Sequence, residues 1–188
     1  MLNEVTIHPA SADRWPELEQ VFDGKGDPGK CWCAFWYLPN KEYRSGWGQH
    51  SGFMEAKVKA GDEPGVIAYV GGEPAGWAGV GPRGAFDRLV RNKKTLAAVD
   101  DRPVWSLNCL VVRRDFRKQG LMRPLIRGAV DFALAKGAIA VEAYPVQSQA
   151  TQTVWDLFLG TIAAYEDCGF VEVASRGPRQ RIMRFWPE

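Results

Sequence analysis

Histidine is almost missing from this sequence: 188 residues contain two, His8 and His50. Cysteine is scarce and unevenly spread, with Cys31, Cys33, Cys109 and Cys168. That pattern excludes a disulfide framework and predicts free thiols in a reducing compartment, hence a cytoplasmic protein. Cys31-Trp32-Cys33 offers a zinc ion two of the four ligands it takes, and neither histidine stands at metal spacing, so no metal site is expected. Charge of one sign is lacking as well. The 24 Lys and Arg against 22 Asp and Glu leave +2, too balanced to point to nucleic acid or a membrane surface. No apolar run approaches the ~18 residues of a membrane span. The start, Met1-Leu2-Asn3-Glu4, has no basic segment followed by an apolar stretch, which predicts no secretory signal. No Gly-x-x-x-x-Gly-Lys-Ser/Thr run occurs, which excludes a P-loop nucleotidase, and no dinucleotide-binding loop is expected.

What is present is the composition of one globular domain: 46% hydrophobic and 24% charged residues. Aromatic residues are conspicuous, with eight Trp and a cluster, Phe35-Trp36-Tyr37, just after Trp32. Such side chains bury large areas and also line pockets.

Period and punctuation give an element order. Glu4 to His8 alternates as a strand, and Ala12 to Phe22 reads as a helix behind Ser11. The stretch 39–49 reads as loop, and a second helix begins near Ser51. Val66–Val70 and Ala75–Val80 flank a Gly-rich turn as a hairpin. The connection 81–102 is long and charged, with room for a short helix. Val104–Val112 is the strongest strand, followed by a basic turn, a helix over 121–136 ended by Gly137, and a strand over 138–144. A helix over 161–168 and a hairpin of Val171–Ala174 with Ile182–Phe185 complete the chain. The order predicts an α/β (α+β) fold around one central sheet.

The clearest chemistry lies between Val104 and Lys136. A buried strand runs into Arg113-Arg114-Asp115-Phe116-Arg117-Lys118-Gln119-Gly120, and a helix begins at once. A helix start presents unpaired backbone N–H groups and the positive end of the dipole, so it suits a pyrophosphate. Gly120 permits close approach, and Arg113, Arg114, Arg117, Lys118 and Arg123 add positive charge. The same residues also read as a solvated basic turn with a glycine chosen for positive φ.

This segment resembles the GCN5-related N-acetyltransferases (GNAT). Their signature is a Leu-x-Val strand, then Arg/Gln-x-x-Gly-x-Gly/Ala opening a helix. Here Leu110-Val111-Val112 precedes Arg117-Lys118-Gln119-Gly120-Leu121-Met122, with Met122 in place of the last small residue. The second hallmark, Tyr-Glu-x-x-Gly-Phe, is matched by Tyr165-Glu166-Asp167-Cys168-Gly169-Phe170. The chain is most similar to a bacterial branch with a Cys- and Trp-rich segment near its start. The resemblance implies one GNAT-type domain: a mixed, mostly antiparallel, splayed sheet flanked by helices. Residues 1–65 would form the acceptor side, 66–145 the central sheet and cofactor motif, and 146–188 the last helix and hairpin.

The resemblance further implies acetyl-CoA as acyl donor. Its pantetheine arm would pair beside Leu110, Val111 and Val112, and its pyrophosphate would rest on the turn from Arg117 through Lys118, Gln119, Gly120, Leu121 and Met122 to Arg123. The implied reaction is direct acetyl transfer to the amine of a small molecule or peptide, in a family in which homodimers are common. Tyr165 matches the family tyrosine that protonates the leaving thiolate; an amphipathic core tyrosine at a helix end is the alternative. Glu142, between Val141 and Ala143, is the expected base, against a solvent-facing strand glutamate. Trp32, Phe35 and Trp36, with Tyr37, fall where the family builds its acceptor pocket; hydrophobic packing is the alternative for each. Asn108 is a candidate for hydrogen bonding in the cleft. The Asn that the family often places seven residues before the tyrosine is Phe158 here. Cys109 on the cofactor strand has no histidine near it in sequence to support an acyl-cysteine route. The other functional classes left open are a silent acyl-CoA sensor, a partner-binding module and a zinc-binding module.

Overall fold

The run Gly65–Val70 is buried at every position, and such a strand needs cover on both faces. It lies inside a seven-stranded sheet of order β1-β2-β3-β4-β5-β7-β6. The computed structural model describes residues 4–24, 28–147 and 154–187. The strands are β1 Val5–Pro9, β2 Gly65–Val70, β3 Glu73–Pro82, β4 Trp105–Val112, β5 Val141–Ala143, β6 Val171–Arg176 and β7 Gln180–Phe185. All neighbours pair antiparallel except β4 and β5, which run parallel. This is the mixed, mostly antiparallel sheet expected from the sequence.

Helices cover both faces. Five short ones come first: α1 Trp15–Phe22, α2 Pro28–Cys31, α3 Ala34–Tyr37, α4 Asn40–Ser45 and α5 His50–Lys59. Then come α6 Asp87–Arg91, α7 Met122–Ala135 and α8 Ile162–Glu166. One core layer joins α7 and α8 to the sheet through Leu107, Leu110, Leu125, Ile126, Ala129 and Tyr165. The opposite layer is aromatic, with Phe22, Trp32, Trp36 and Trp77 packed on Ile67, Cys109 and Val111. The alternation of β2 sorts Val66, Ala68 and Val70 to the first layer and Ile67 and Tyr69 to the second.

Two expectations about the first third of the chain are corrected. The α-helix begins at Trp15, after a 3-10 turn over Ala12–Arg14. Pro16 requires this, because proline fits only the first turn, where its missing N–H is not needed. The stretch 39–49, expected as loop, contains α4. Its buried Tyr43 packs edge-on against Phe35 at 5.6 Å and stacks on His50 at 4.8 Å, so tertiary contact orders a segment of weak local signal. One run, Gly79-Val80-Gly81-Pro82-Arg83-Gly84, does carry dinucleotide-loop spacing. It lies in antiparallel β3 and a 3-10 turn, opens no crossover helix, and so lacks the context that gives this spacing its meaning.

Two irregularities of β4 prepare a site. On one side, parallel pairing with β5 stops at Leu107–Ala143, while β4 runs on to Val112. On the other side, the ladder with β3 slips: Gly79 faces Cys109, but Val80 faces Leu107. Asn108 is the extra residue of this bulge. The slip puts Leu107 and Leu110 on the α7 face and Cys109 and Val111 on the aromatic face. Unbroken alternation would have kept 107, 109 and 111 together.

Candidate active site

The turn after β4 is held in shape by its own side chains. Arg113 Nη1 donates to the Pro74 carbonyl at 2.5 Å, Arg117 Nε to the Val112 carbonyl at 2.9 Å, and Gln119 Nε2 to the Asp115 carbonyl at 2.6 Å. Lys118 and Gly120 take positive φ, 61° and 87°. Leu121 precedes α7 without a side-chain cap, so the N–H groups that open the helix have no partner from their own chain at the cap. The arrangement can take an anion on backbone amides, with exposed Arg114, Arg117 and Lys118 around it. Arg123, expected among the charges facing a phosphate, instead binds Asp167 through Nε at 2.6 Å. Leu121 is buried, and Met122 packs against the same core layer.

Where β5 leaves β4, the segment before α8 crosses Leu110. Gly160 has φ +74°, and a Cβ there would lie 2.9 Å from Cε2 of Tyr165 and 3.0 Å from Cδ1 of Leu110. Thr161 caps α8, its hydroxyl accepting from the Ala164 amide at 3.3 Å. Tyr165 follows one turn later, fully buried, with its ring edge-on to Phe170 at 5.1 Å. Burial, with Cys109 and Cys168 nearby, pushes its hydroxyl pKa far above the ordinary tyrosine value, so it keeps its proton.

On the other face of β4 lies a cavity of about 430 Å³. Asn108, Cys109 and Val111 of β4 form one wall. Phe22, Cys31, Cys33, Phe35, Trp36, Tyr43 and Trp47 form a second, and Leu96, Asp156, Phe158 and Leu159 close it. Asn108 is 2% exposed, and its side-chain Nδ2 has no hydrogen-bond partner. Asp156 accepts from Arg179 at 2.6 Å. Arg88, from α6, holds the outer side of the pocket: its guanidinium lies 3.8 Å from the Phe35 ring centre and donates to the Phe35 carbonyl and to Asn40 Oδ1.

Three thiols reach this wall. Cys33 and Cys109 Sγ atoms are 2.7 Å apart, and Trp77 Nε1 donates to Cys33 Sγ at 3.2 Å. Burial raises the Cys33 thiol well above its ordinary value and Cys31 to about 11. Among the described residues no group of three or more His, Cys, Asp or Glu has the arrangement to hold a metal ion.

Of the aromatic residues expected in a pocket, Phe35 and Trp36 line the cavity. Trp32 does not. It is sandwiched between Trp15 at 5.3 Å and Phe22 at 4.6 Å, donates to the Gly29 carbonyl, and belongs to the core. Glu142 also departs from its expected role. It is 1% exposed, and Oε1 accepts from Arg184 Nη2 at 2.6 Å and Nε at 3.1 Å. Oε2 accepts from Tyr144 Oη at 3.1 Å and faces Arg83 at 3.8 Å. Both oxygens are engaged in the sheet, and neither Glu142 nor Tyr165 is among the residues of the cavity wall. Its carboxylate is thus paired with Arg184 within the sheet.

The family model of the acetyltransferase (GNAT) family matches residues 32–170. This chain is a GNAT acetyltransferase family member. Solved structures share the fold over nearly the full length. The PaiA N-acetyltransferase of Thermoplasma acidophilum, in complex with coenzyme A, is 12% identical, with a TM-score of 0.55 over 98% of this chain and 99% of that one. A GNAT family acetyltransferase from Bacillus cereus is 9% identical, with a TM-score of 0.55 over 99% of each chain. Ard1 of Thermoplasma volcanium is 12% identical, with a TM-score of 0.53 over 98% of each. No curated protein sequence is significantly similar. GNAT acetyltransferases use acetyl-CoA and act on amines. Among the described residues of this GNAT chain, no helix is long and apolar enough to cross a membrane.

Sequence reasoning missed part of the GNAT pocket. Phe22, Tyr43, Leu96 and Asp156 come from four segments, and nothing local marks them as neighbours. Phe158 was visible only as a missing Asn; in the fold it is a wall of the cavity.

Proposed function

We propose that this protein is an N-acetyltransferase that moves an acetyl group from acetyl-CoA directly to an amine. The observation that carries the reading is the end of β4–β5 pairing at Leu107–Ala143, between an uncapped basic helix start and an apolar pocket. The chain fits the donor. Among the described residues, the edge of β4 from Asn108 to Val112 has no strand beside it on the β5 side, and residues Leu110 to Val112 would bind the amide-bearing arm. The turn from Arg117 to Arg123, with two left-handed residues, would cradle the pyrophosphate on backbone N–H groups. When bound, acetyl-CoA supplies an activated thioester.

Tyr165 holds the proton for the departing thiol sulfur, and its buried hydroxyl is protonated at any working pH. The amine must shed a proton. For a lysine-like amine this costs about 4–5 kcal/mol at neutral pH. An apolar wall disfavours the ammonium form and so lowers that cost. Asn108 Nδ2, at the bulge, is a donor for a substrate oxygen.

The test is thiol release from acetyl-CoA over a panel of amines, with Tyr165→Phe beside the wild type. The reading expects amine-dependent release, reduced on the order of 10²-fold or more in the variant with acetyl-CoA binding intact. Equal rates would remove Tyr165 from the mechanism. No release with any amine, despite acetyl-CoA binding, would contradict the transferase reading.

A further inference from the structure

We propose that the acceptor is an arylalkylamine: a flat apolar body bearing one amine and no second charge. The proposal deepens the acetyl-transfer reading and rests on it. The cavity beside the β4 bulge is walled by six aromatic side chains, Phe22, Phe35, Trp36, Tyr43, Trp47 and Phe158. Its wall is jointed and fixed. Phe35 meets Trp36 edge-on at 5.2 Å and Tyr43 at 5.6 Å, Tyr43 meets Trp47 at 5.7 Å, and the Arg88 guanidinium caps Phe35 from outside. A ring inserted here finds edges and faces in the arrangements aromatic pairs favour. At about 430 Å³ the space suits a compact bicyclic or monocyclic amine.

Charge selects against other amines. Among the described lining residues the single carboxylate is Asp156, and it is held by Arg179 at 2.6 Å. A polyamine or aminoglycoside carries further ammonium groups, which need carboxylates that this wall does not supply. The polar side chain on the β4 wall is neutral: Asn108, 2% exposed, with Nδ2 unpartnered. In the transfer, the amine nitrogen forms a bond to the acetyl carbon as the carbon–sulfur bond breaks. The proton lost by nitrogen balances the one gained by sulfur.

The experiment titrates the full-length protein with 2-phenylethylamine and with spermidine, following tryptophan fluorescence, and measures thiol release with acetyl-CoA for both and for a lysine peptide. We expect saturable fluorescence change with phenylethylamine and kcat/KM about tenfold or more above the other two. Trp36→Ala should raise KM for phenylethylamine by about tenfold while the acetyl-CoA-induced rise in Tm persists. Phe158→Leu, at a half-buried position, gives the same readout if Trp36→Ala does not fold. Higher kcat/KM with spermidine or the peptide overturns the proposal. So does octanoyl-CoA outperforming acetyl-CoA without amine saturation, which would assign the cavity to the acyl chain. If acetyl-CoA binds but phenylethylamine neither changes the fluorescence nor reacts, the acceptor assignment alone falls. If acetyl-CoA does not bind, the acetyl-transfer reading falls and this proposal with it.

Discussion

Arg184 on β7 reaches across to Glu142 on β5, with Nη2 2.6 Å from Oε1, and both side chains are almost fully buried. Asp100 joins them at 2.7 Å from Arg184 Nη1. Neutralising Glu142 removes the buried partner of Arg184 but leaves Asp100 paired with it, so the cost stays below that of a buried charge left with no partner. Glu142→Gln should therefore lower stability by about 1–3 kcal/mol in denaturant titrations, while turnover per folded molecule stays within about threefold of wild type. A folded Glu142→Gln protein with turnover reduced on the order of 10²-fold would restore the carboxylate to the chemistry.

The same pair shows what a sequence carries and what it hides. The apolar runs of β2 and β4 and the apolar stripe of α7 made the sheet and its covering helix legible, because each is a local pattern. The basic turn and the Tyr165 segment were legible as local motifs. Glu142 was placed on the right strand, but its partner lies 42 positions further on, and register alone brings them together. Trp32 was indistinguishable from Phe35 and Trp36 by type and position; only the stacking partners Trp15 and Phe22 withdraw it from the pocket. The bulge at Asn108 needs two strands to exist, so one strand read alone could not reveal it.

Buried tyrosines set the alkaline limit. Burial raises the hydroxyl pKa of Tyr37, Tyr144 and Tyr165 far above the ordinary value of about 10. Below pH ~9 all are protonated folded or unfolded, and stability does not depend on them. Above pH ~10 the unfolded chain releases protons that the folded chain retains, so folding weakens by up to about 1.4 kcal/mol per pH unit for each. Denaturant titrations from about pH 8 to 11 should show a plateau and then a fall. Stability that rises across this range would contradict the buried, protonated placement of Tyr165.

Gly160 positions Tyr165. Gly160→Ala puts a Cβ at positive φ, 2.9 Å from the tyrosine ring and 3.0 Å from Leu110. Strain of this kind costs of order 1–3 kcal/mol. The ring or the segment must shift, so kcat should fall more than acetyl-CoA affinity. An unchanged kcat in a folded variant would separate Gly160 from Tyr165 geometry.

The thiols of the pocket wall should be slow to react. With Cys31 raised to about 11 and Cys33 raised further by burial, the thiolate is a minute fraction at neutral pH. Brief iodoacetamide treatment of the native protein near pH 7.5, read by mass spectrometry, should leave Cys31 and Cys33 largely unlabelled, whereas the denatured chain takes label at both. Rapid native labelling of Cys33 would show an open or activated pocket wall.

The most direct test of the central claim is the melting temperature with and without saturating acetyl-CoA, using ATP as the phosphate control. A ligand at ~100-fold over its dissociation constant adds about 2.7 kcal/mol to the folded state. For a domain of this size Tm should rise by roughly 5–10 °C. A rise specific to acetyl-CoA is the predicted result, because the arm is proposed to lie on the β4 edge and the pyrophosphate on the turn before α7. No rise, or an equal rise with ATP, would contradict it and leave the basic turn as a general anion site.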